Sequence, residues 1–195
     1  MDIVIIDYGA GNIQSIKFAL QRLGYQAILS NDIEEIKAAD RVIFPGVGEA
    51  SNAMAKLEKY GLNNLIPTLK QPVLGICLGM QLLCKWCEEG NTNGLNIFDA
   101  TVKKFPKGKK IPQIGWNQIE NLKGQLFDGI SDKAYMYLVH SYYVPLHENT
   151  IATTNYGLDY TTAIQKDNFY GVQFHPEKSS AAGARILMNF LELNT

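Results

Sequence analysis

Cys77 lies between two glycines in Gly75-Ile76-Cys77-Leu78-Gly79. The apolar run Pro72 to Ile76 reads as a buried strand, and Met80 to Trp86 reads as a helix. Cys77 then sits at a sharp strand-to-helix turn that only small neighbours can flank, the geometry of a nucleophile elbow. A thiol there also stands at a helix N-terminus, where the dipole and the unpaired N–H groups favour thiolate. Taken alone, the spacing fits a buried structural cysteine equally well.

A thiolate nucleophile needs a base, and the base needs an orienting group. Of three histidines, His175 follows the apolar strand Tyr170 to Phe174 and precedes Pro176-Glu177, whereas His140 and His147 read as structural or exposed. Proline keeps its predecessor out of the α region. If the chain stays extended through Glu177, period 2 turns His175 and Glu177 to one side. A carboxylate beside an imidazole selects its tautomer and supports the imidazolium. Acyl chemistry also calls for oxyanion donors. The N–H of Leu78 follows the nucleophile directly, and Gly46-Val47-Gly48 is a loop able to turn an N–H inward.

Other motifs are weak. Gly9-x-Gly11 and Gly46-x-Gly48 lack the third glycine of a dinucleotide fingerprint, with Gln14 and Ser51 at that place. Cys84-x-x-Cys87 resembles half a zinc site, but both cysteines fall on the expected helix and no second pair exists, so core packing accounts for them better. No metal and no cofactor are expected.

These residues need a frame. Ile3 to Tyr8, Gln26 to Leu29, Arg41 to Phe44 and Pro72 to Ile76 read as strands, alternating with helices over Asn12 to Leu23, Asp32 to Ala38, Glu49 to Tyr60 and Leu62 to Leu69. Near-continuous apolar strands between helices argue a parallel sheet covered on both faces. The second half reads as strands, several antiparallel: Asn96 to Phe105, Gln113 to Ile119, Tyr135 to Val144, Ile151 to Asn155, Thr161 to Gln165 and Phe169 to Phe174, then a helix from Ser179 to Leu193. The turns Gly9-Ala10-Gly11-Asn12, Gly46-Val47-Gly48 and Cys77 all fall at the C-terminal ends of parallel strands, the edge where open α/β sheets bind ligands. Lysines 103–104 and 107–110, broken by Pro106 and Gly108, read as a solvated hairpin.

A length of 195 residues suits one domain over residues 1–195, and 18 basic against 19 acidic residues imply no pull toward nucleic acid or an anionic membrane. The acidic Met1-Asp2 start, the lack of a long apolar run and an odd three cysteines fit a cytoplasmic protein without targeting segment or disulfide framework.

The chain resembles the class I (triad) glutamine amidotransferases, which carry GxCxG, then Met or His and Gln, and a late His-x-Glu; here these are Gly75 to Gln81 and His175-Pro176-Glu177. Asp7-Tyr8-Gly9-Ala10-Gly11-Asn12, Pro45 to Gly48, Gly115-Trp116-Asn117, His140-Ser141-Tyr142 and Lys178-Ser179-Ser180 narrow the resemblance to the branch formed by glutaminase subunits of imidazole glycerol phosphate synthases. It implies a flavodoxin-like open, mostly parallel sheet with helices on both faces and an additional antiparallel β portion. It implies hydrolysis of glutamine through a Cys77 thioester, with His175 protonating the leaving nitrogen and Glu177 orienting it. Val47 and Leu78 would supply oxyanion N–H groups, and Gly48, Gln81, Ser141 and Tyr142 would hold glutamine.

A glutaminase that occupies all 195 residues leaves no synthase part, so a docked acceptor is expected. The resemblance makes that acceptor a (β/α)₈-barrel cyclase subunit in a heterodimer of histidine biosynthesis, met by Asn12, Trp116, Asn117 and Lys178. Trp116 also admits a core reading. Gln113 stands where many members of the branch carry His, a difference that touches docking rather than the triad. A glutaminase feeding another amidation, such as that of a surface sugar, is the alternative. A non-enzymatic cysteine sensor would have no need for Glu177, Gln81 and the Gly46–Gly48 loop together.

Overall fold

The first strands are short apolar runs whose successive side chains enter two separate cores. In β1 (Ile3–Ile6) every residue is buried, with Val4 and Ile6 in one cluster and Ile3 and Ile5 in the other. Burial on both faces is what a helix-covered parallel sheet requires. The computed structural model describes residues 1–9 and 12–193. Ala10 and Gly11 of the first glycine turn therefore lie outside the described residues.

The chain continues through α1 (Ile13–Arg22), β2 (Ala27–Ser30), α2 (Ile33–Ala38), β3 (Arg41–Gly46), α3 (Ala50–Lys59) and α4 (Leu62–Leu65), which runs into a 3₁₀ turn. Asp32 caps α2, its carboxylate accepting the N–H groups of Glu34 and Glu35 at 2.9 Å. Next come β4 (Val73–Cys77), α5 (Leu78–Leu83), β5 (Cys84–Cys87), β6 (Thr92–Asn93), β7 (Phe98–Lys104), β8 (Gln113–Gln118), β9 (Tyr135–His140) and β10 (Tyr142–Tyr143). The last elements are β11 (Thr150–Asn155), β12 (Asp159–Lys166), β13 (Phe169–Val172) and α6 (Ser180–Leu191).

The central sheet has seven strands in the order β11-β12-β13-β4-β3-β1-β2. Its β13-β4-β3-β1-β2 stretch is parallel, and β12 and β11 extend it antiparallel. α2, α3, α4 and α5 pack on one face, α1 and α6 on the other. A four-stranded sheet, β10-β7-β5-β6, adjoins the first core, while the antiparallel ribbon β8–β9 sends Met136 and Leu138 into the second. The architecture is the expected α/β fold with a mostly parallel central sheet and an antiparallel portion. Among the described residues no helix is long and apolar enough to cross a membrane.

Three local expectations are corrected. The helix read over Met80 to Trp86 ends at Leu83, and Cys84–Cys87 is a strand parallel to β7. The reason is competition for carbonyls. Leu82 O accepts from Leu95 N–H at 2.8 Å and Leu83 O from Ile97 N–H at 3.0 Å, so two carbonyls that a longer helix would use are already bonded. Cys84 and Cys87 are thus not on one helix; they lie buried on β5. The strand read over Tyr135 to Val144 breaks at Ser141, because β9 pairs with β8 and β10 with β7. The exposed Lys107, Lys109 and Lys110 lie in the connection between β7 and β8, which do not pair, so the segment is not a hairpin.

Candidate functional site

The C-terminal ends of β4 and β3 meet in register, Cys77 opposite Gly46. Cys77 has φ 55° and ψ −111°, a left-handed conformation costly for a side-chain-bearing residue. The flanking glycines permit it. A Cβ on Gly75 would stand 2.8 Å from Leu83 Cδ1, and one on Gly79 would overlap the carbonyl oxygen of Phe44. A Cβ on Gly46 would stand 2.5 Å from Gly79 N, so the β3 exit and the elbow press directly together. Leu78 opens α5, and its N–H is among the donors that a helix leaves unpaired.

β13 runs beside β4 and delivers His175 to the same edge. The chain does not stay extended beyond it: Pro176–Lys178 forms a 3₁₀ turn, and that turn brings Glu177 Oε1 to 2.8 Å from His175 Nδ1. Extended period-2 geometry is therefore corrected, though both side chains still meet. Burial by itself would lower the imidazole's proton affinity. The neighbouring Cys77 and Glu177 outweigh that and raise it to about 10. No hydrogen bond closes between sulfur and ring: among the described residues Nε2 is unpartnered, while Cys77 Sγ lies 3.8 Å from Val139 O. With Nδ1 taken by the carboxylate, Nε2 is the nitrogen left to hold and release the transferable proton.

Cys77 and His175 line a cavity of about 300 Å³, shared with Val47, Gly48, Leu78, Gln81, Ser141 and Tyr142. Every catalytic, oxyanion and substrate residue read from the sequence is therefore on this wall except Glu177, which stands behind the imidazole. Gly48 has φ +93°, a backbone that glycine adopts freely. Gln81 lies one helical turn after Cys77 and donates through Nε2 to Tyr142 O at 3.0 Å.

Glu89 was missed by sequence reasoning. It lies in a 3₁₀ turn beyond β5, half-buried in the cavity wall, and accepts from Ala50 N–H at 2.9 Å. Burial raises its carboxyl's proton affinity, the Ala50 N–H opposing. It offers a carboxylate to a cationic group in the cavity. No motif marks it, because only the α5–β5 break brings it round.

His140 is buried, with Nδ1 2.7 Å from Tyr142 O and Nε2 3.2 Å from Tyr160 hydroxyl, and burial lowers its proton affinity to about 4. It stays neutral and braces the Ser141–Tyr142 segment. Gln113 accepts from the Tyr160 hydroxyl at 3.1 Å and so belongs to this buried network.

The four residues read as partner-facing do not share the cavity, apart from Lys178. Lys178 Nζ stands 5.8 Å over the Tyr137 ring, and Trp116, half exposed on β8, meets the same ring edge-on with centroids 6.2 Å apart. The core reading of Trp116 is thus corrected. Tyr137 itself lies 6.5 Å from the His175 ring and joins these residues to the cavity. Asn117 uses its side chain internally, donating to Asn155 O at 2.9 Å and accepting from Gln118 N–H at 2.8 Å. Asn12 stands at the start of α1 without a side-chain cap bond.

The family model "Glutamine amidotransferase class-I" matches residues 4–193. The chain is 54% identical to "Imidazole glycerol phosphate synthase subunit HisH" of Bacteroides fragilis, over 99% of this chain and 100% of that protein. It is 51% identical to the protein of the same name in Yersinia pseudotuberculosis, over 99% and 100%, and 48% identical to that of Haemophilus influenzae, over 98% of each. Among solved structures it is similar in fold to a glutamine amidotransferase of Thermotoga maritima, with TM-score 0.70, 16% identity, and coverage of 99% of each chain.

Proposed function

We propose, from the premise that this chain belongs to the class I glutamine amidotransferase family, that it is the glutaminase subunit of an imidazole glycerol phosphate synthase. It hydrolyses glutamine and supplies the ammonia to a (β/α)₈-barrel cyclase subunit in histidine biosynthesis. Near-complete coverage of relatives at 48–54% identity supports this reading over another amidation.

In the mechanism proposed for its residues, Cys77 Sγ, its proton already held by His175 Nε2, attacks the side-chain amide carbon of glutamine. The new C–S bond places negative charge on the amide oxygen, which the N–H groups of Val47 and Leu78 receive. The C–N bond then breaks, and His175 returns its proton to the nitrogen, which leaves as ammonia. Water attacks the thioester, losing a proton to His175. The C–S bond breaks with its electron pair on sulfur, giving glutamate and restoring the sulfur anion beside the protonated His175. Glu177 holds the imidazole with Nε2 toward the sulfur. Gly48, Gln81, Ser141 and Tyr142 position glutamine, and Glu89 suits its α-ammonium group.

The observation that carries this is the His175 Nδ1–Glu177 Oε1 bond of 2.8 Å, which leaves Nε2 unpartnered on a ring that lines the same cavity as Cys77. Residues 1–195 act as one glutaminase domain in this reading. Asn12, Trp116, Asn117 and Lys178 meet the cyclase, supported by the exposed apolar side chains of Ile114, Trp116 and Tyr135 on the β8–β9 ribbon. A cytoplasmic setting, supported by three cysteines that are free thiols, completes it. The test is glutamine hydrolysis measured with and without the purified cyclase and its nucleotide substrate. Stimulated hydrolysis by a one-to-one complex is expected, and no hydrolysis in either mixture overturns the proposal.

A further inference from the structure

A chain of amides, from Gln81 in the cavity wall to Gln173 outside the lining, ends on the Cys77 sulfur. Gln173 lies at the exit of β13 with no exposed surface. Its Nε2 stands 3.7 Å from Cys77 Sγ, and its Oε1 accepts from Gln81 Nε2 at 2.8 Å. Gln81 Nε2 also donates to Tyr142 O at 3.0 Å.

Which way these amides point follows from their last partner. A backbone carbonyl only accepts, so the Gln81 group facing Tyr142 O must be its NH₂. That same NH₂ faces Gln173, whose facing atom must then be oxygen. The NH₂ of Gln173 is left to face the sulfur. Each link constrains the next, and the backbone carbonyl of the β10 segment sets the whole series. His140 Nδ1, 2.7 Å from the same carbonyl, holds that end in place.

A neutral thiol accepts a hydrogen bond weakly, whereas a sulfur carrying negative charge accepts strongly. A buried donor aimed at Sγ therefore favours the charged sulfur over the neutral thiol. We propose that Gln173 is a further catalytic residue, whose side-chain N–H, aimed through Gln81 by the Tyr142 carbonyl, stabilises the negative charge on Cys77 sulfur. The charge arises twice: before sulfur forms its bond to the glutamine carbon, and when the thioester C–S bond breaks and sulfur keeps the electron pair. Gln81 and Tyr142 line the substrate cavity, so contacts that glutamine makes with them act on the amide that meets the nucleophile. The proposal rests on the reading of Cys77 as nucleophile.

The test compares wild type, Gln173→Met and Gln81→Met, each in complex with the cyclase. Alkylation of Cys77 by iodoacetamide is followed across pH by peptide mass, beside kcat and KM for glutamine. Both substitutions should slow alkylation at neutral pH, Gln173→Met by about tenfold, the factor set by one hydrogen bond to a charged group. The rise of alkylation with pH should move upward, and kcat should fall in step. Gln81 makes no hydrogen bond to the sulfur, and although its place in the cavity wall could alter the reagent's access, an upward move of its alkylation profile along pH is the signature of a relay. It also keeps the test alive should Gln173→Met fold poorly. Unchanged alkylation in either variant, or a raised KM with alkylation and kcat intact, overturns the relay. Cys77→Ala run alongside separates the two failures: hydrolysis surviving there overturns the nucleophile reading and the relay with it.

Discussion

His175 Nδ1 and Glu177 Oε1 are 2.8 Å apart because the chain turns between them, Pro176–Lys178 closing a 3₁₀ turn instead of continuing the strand. Ser179 secures that turn. Its hydroxyl donates to His175 O at 2.7 Å and accepts from Tyr137 N–H at 2.9 Å, while His175 N–H donates to Tyr137 O at 2.9 Å. The imidazole is thereby fixed to β9 as well as to its carboxylate.

Glu177→Gln should reduce kcat for glutamine by on the order of 10⁴-fold, the size of loss seen when a triad carboxylate loses its charge. It should also change the pH dependence of stability. Folding raises the proton affinity of His175 from the usual 6.5 to about 10, Cys77 foremost and Glu177 beside it, and through the part that Glu177 supplies the folded state binds more protons between those values. That stabilisation is complete below about pH 6.5 and is lost as pH rises toward 10. Urea midpoints measured across this window should decline less steeply in Glu177→Gln than in wild type. An equal decline would remove Glu177 as a support of the imidazolium.

Cys77→Ala should abolish hydrolysis while the fold and cyclase binding persist, since the methyl group keeps the Cβ at the elbow and the sulfur is one atom at the margin of the second core. Circular dichroism and a binding titration check the second half. Residual hydrolysis near the wild-type rate would exclude Cys77 as nucleophile.

Val47→Pro removes one backbone donor at a site 41% exposed, and circular dichroism checks that the fold accepts the ring. Hydrolysis in the complex should fall by about 10²–10³-fold in kcat, the cost of one oxyanion donor. A wild-type rate would show that another group receives the charge.

Trp116→Ala should leave the melting temperature nearly unchanged, because the ring is 50% exposed and rests on Tyr137. Affinity for the cyclase should drop by about 30-fold, as expected for an aromatic anchor worth about 2 kcal/mol. Unaltered affinity and coupling, read by calorimetry and by ammonia transfer, would place the docking surface elsewhere.

Gly79→Ala forces a methyl group onto the Phe44 carbonyl beneath the elbow. Overpacking of this kind costs about 1–3 kcal/mol, and a chain of this length should lose about 2–4 °C of melting temperature for each kcal/mol. A thermal scan with wild-type midpoint would mean that the β3–α5 approach is looser than described.

Much of this was legible in residues near one another in the chain. GxCxG specifies an elbow because backbone crowding there is local, and its glycines are needed at the atoms they approach. The β1, β3 and β4 runs declare two-sided burial by their unbroken apolar character. His-Pro-Glu declares a paired imidazole, even though an extended chain is not what joins the pair. The α5–β5 break was not legible, since Leu82 and Leu83 lose their helical acceptor roles to Leu95 and Ile97, residues in a later segment. Glu89 and Gln173 escaped notice for the same reason: a glutamate after a helix and a glutamine before Phe-His carry no signature of the sulfur or cavity beside them. Local sterics and hydrophobic period act over a few residues and can be read along the chain. Which carbonyl a distant N–H takes, and which amide faces the nucleophile, depends on strands brought side by side, and so only the tertiary structure decided it.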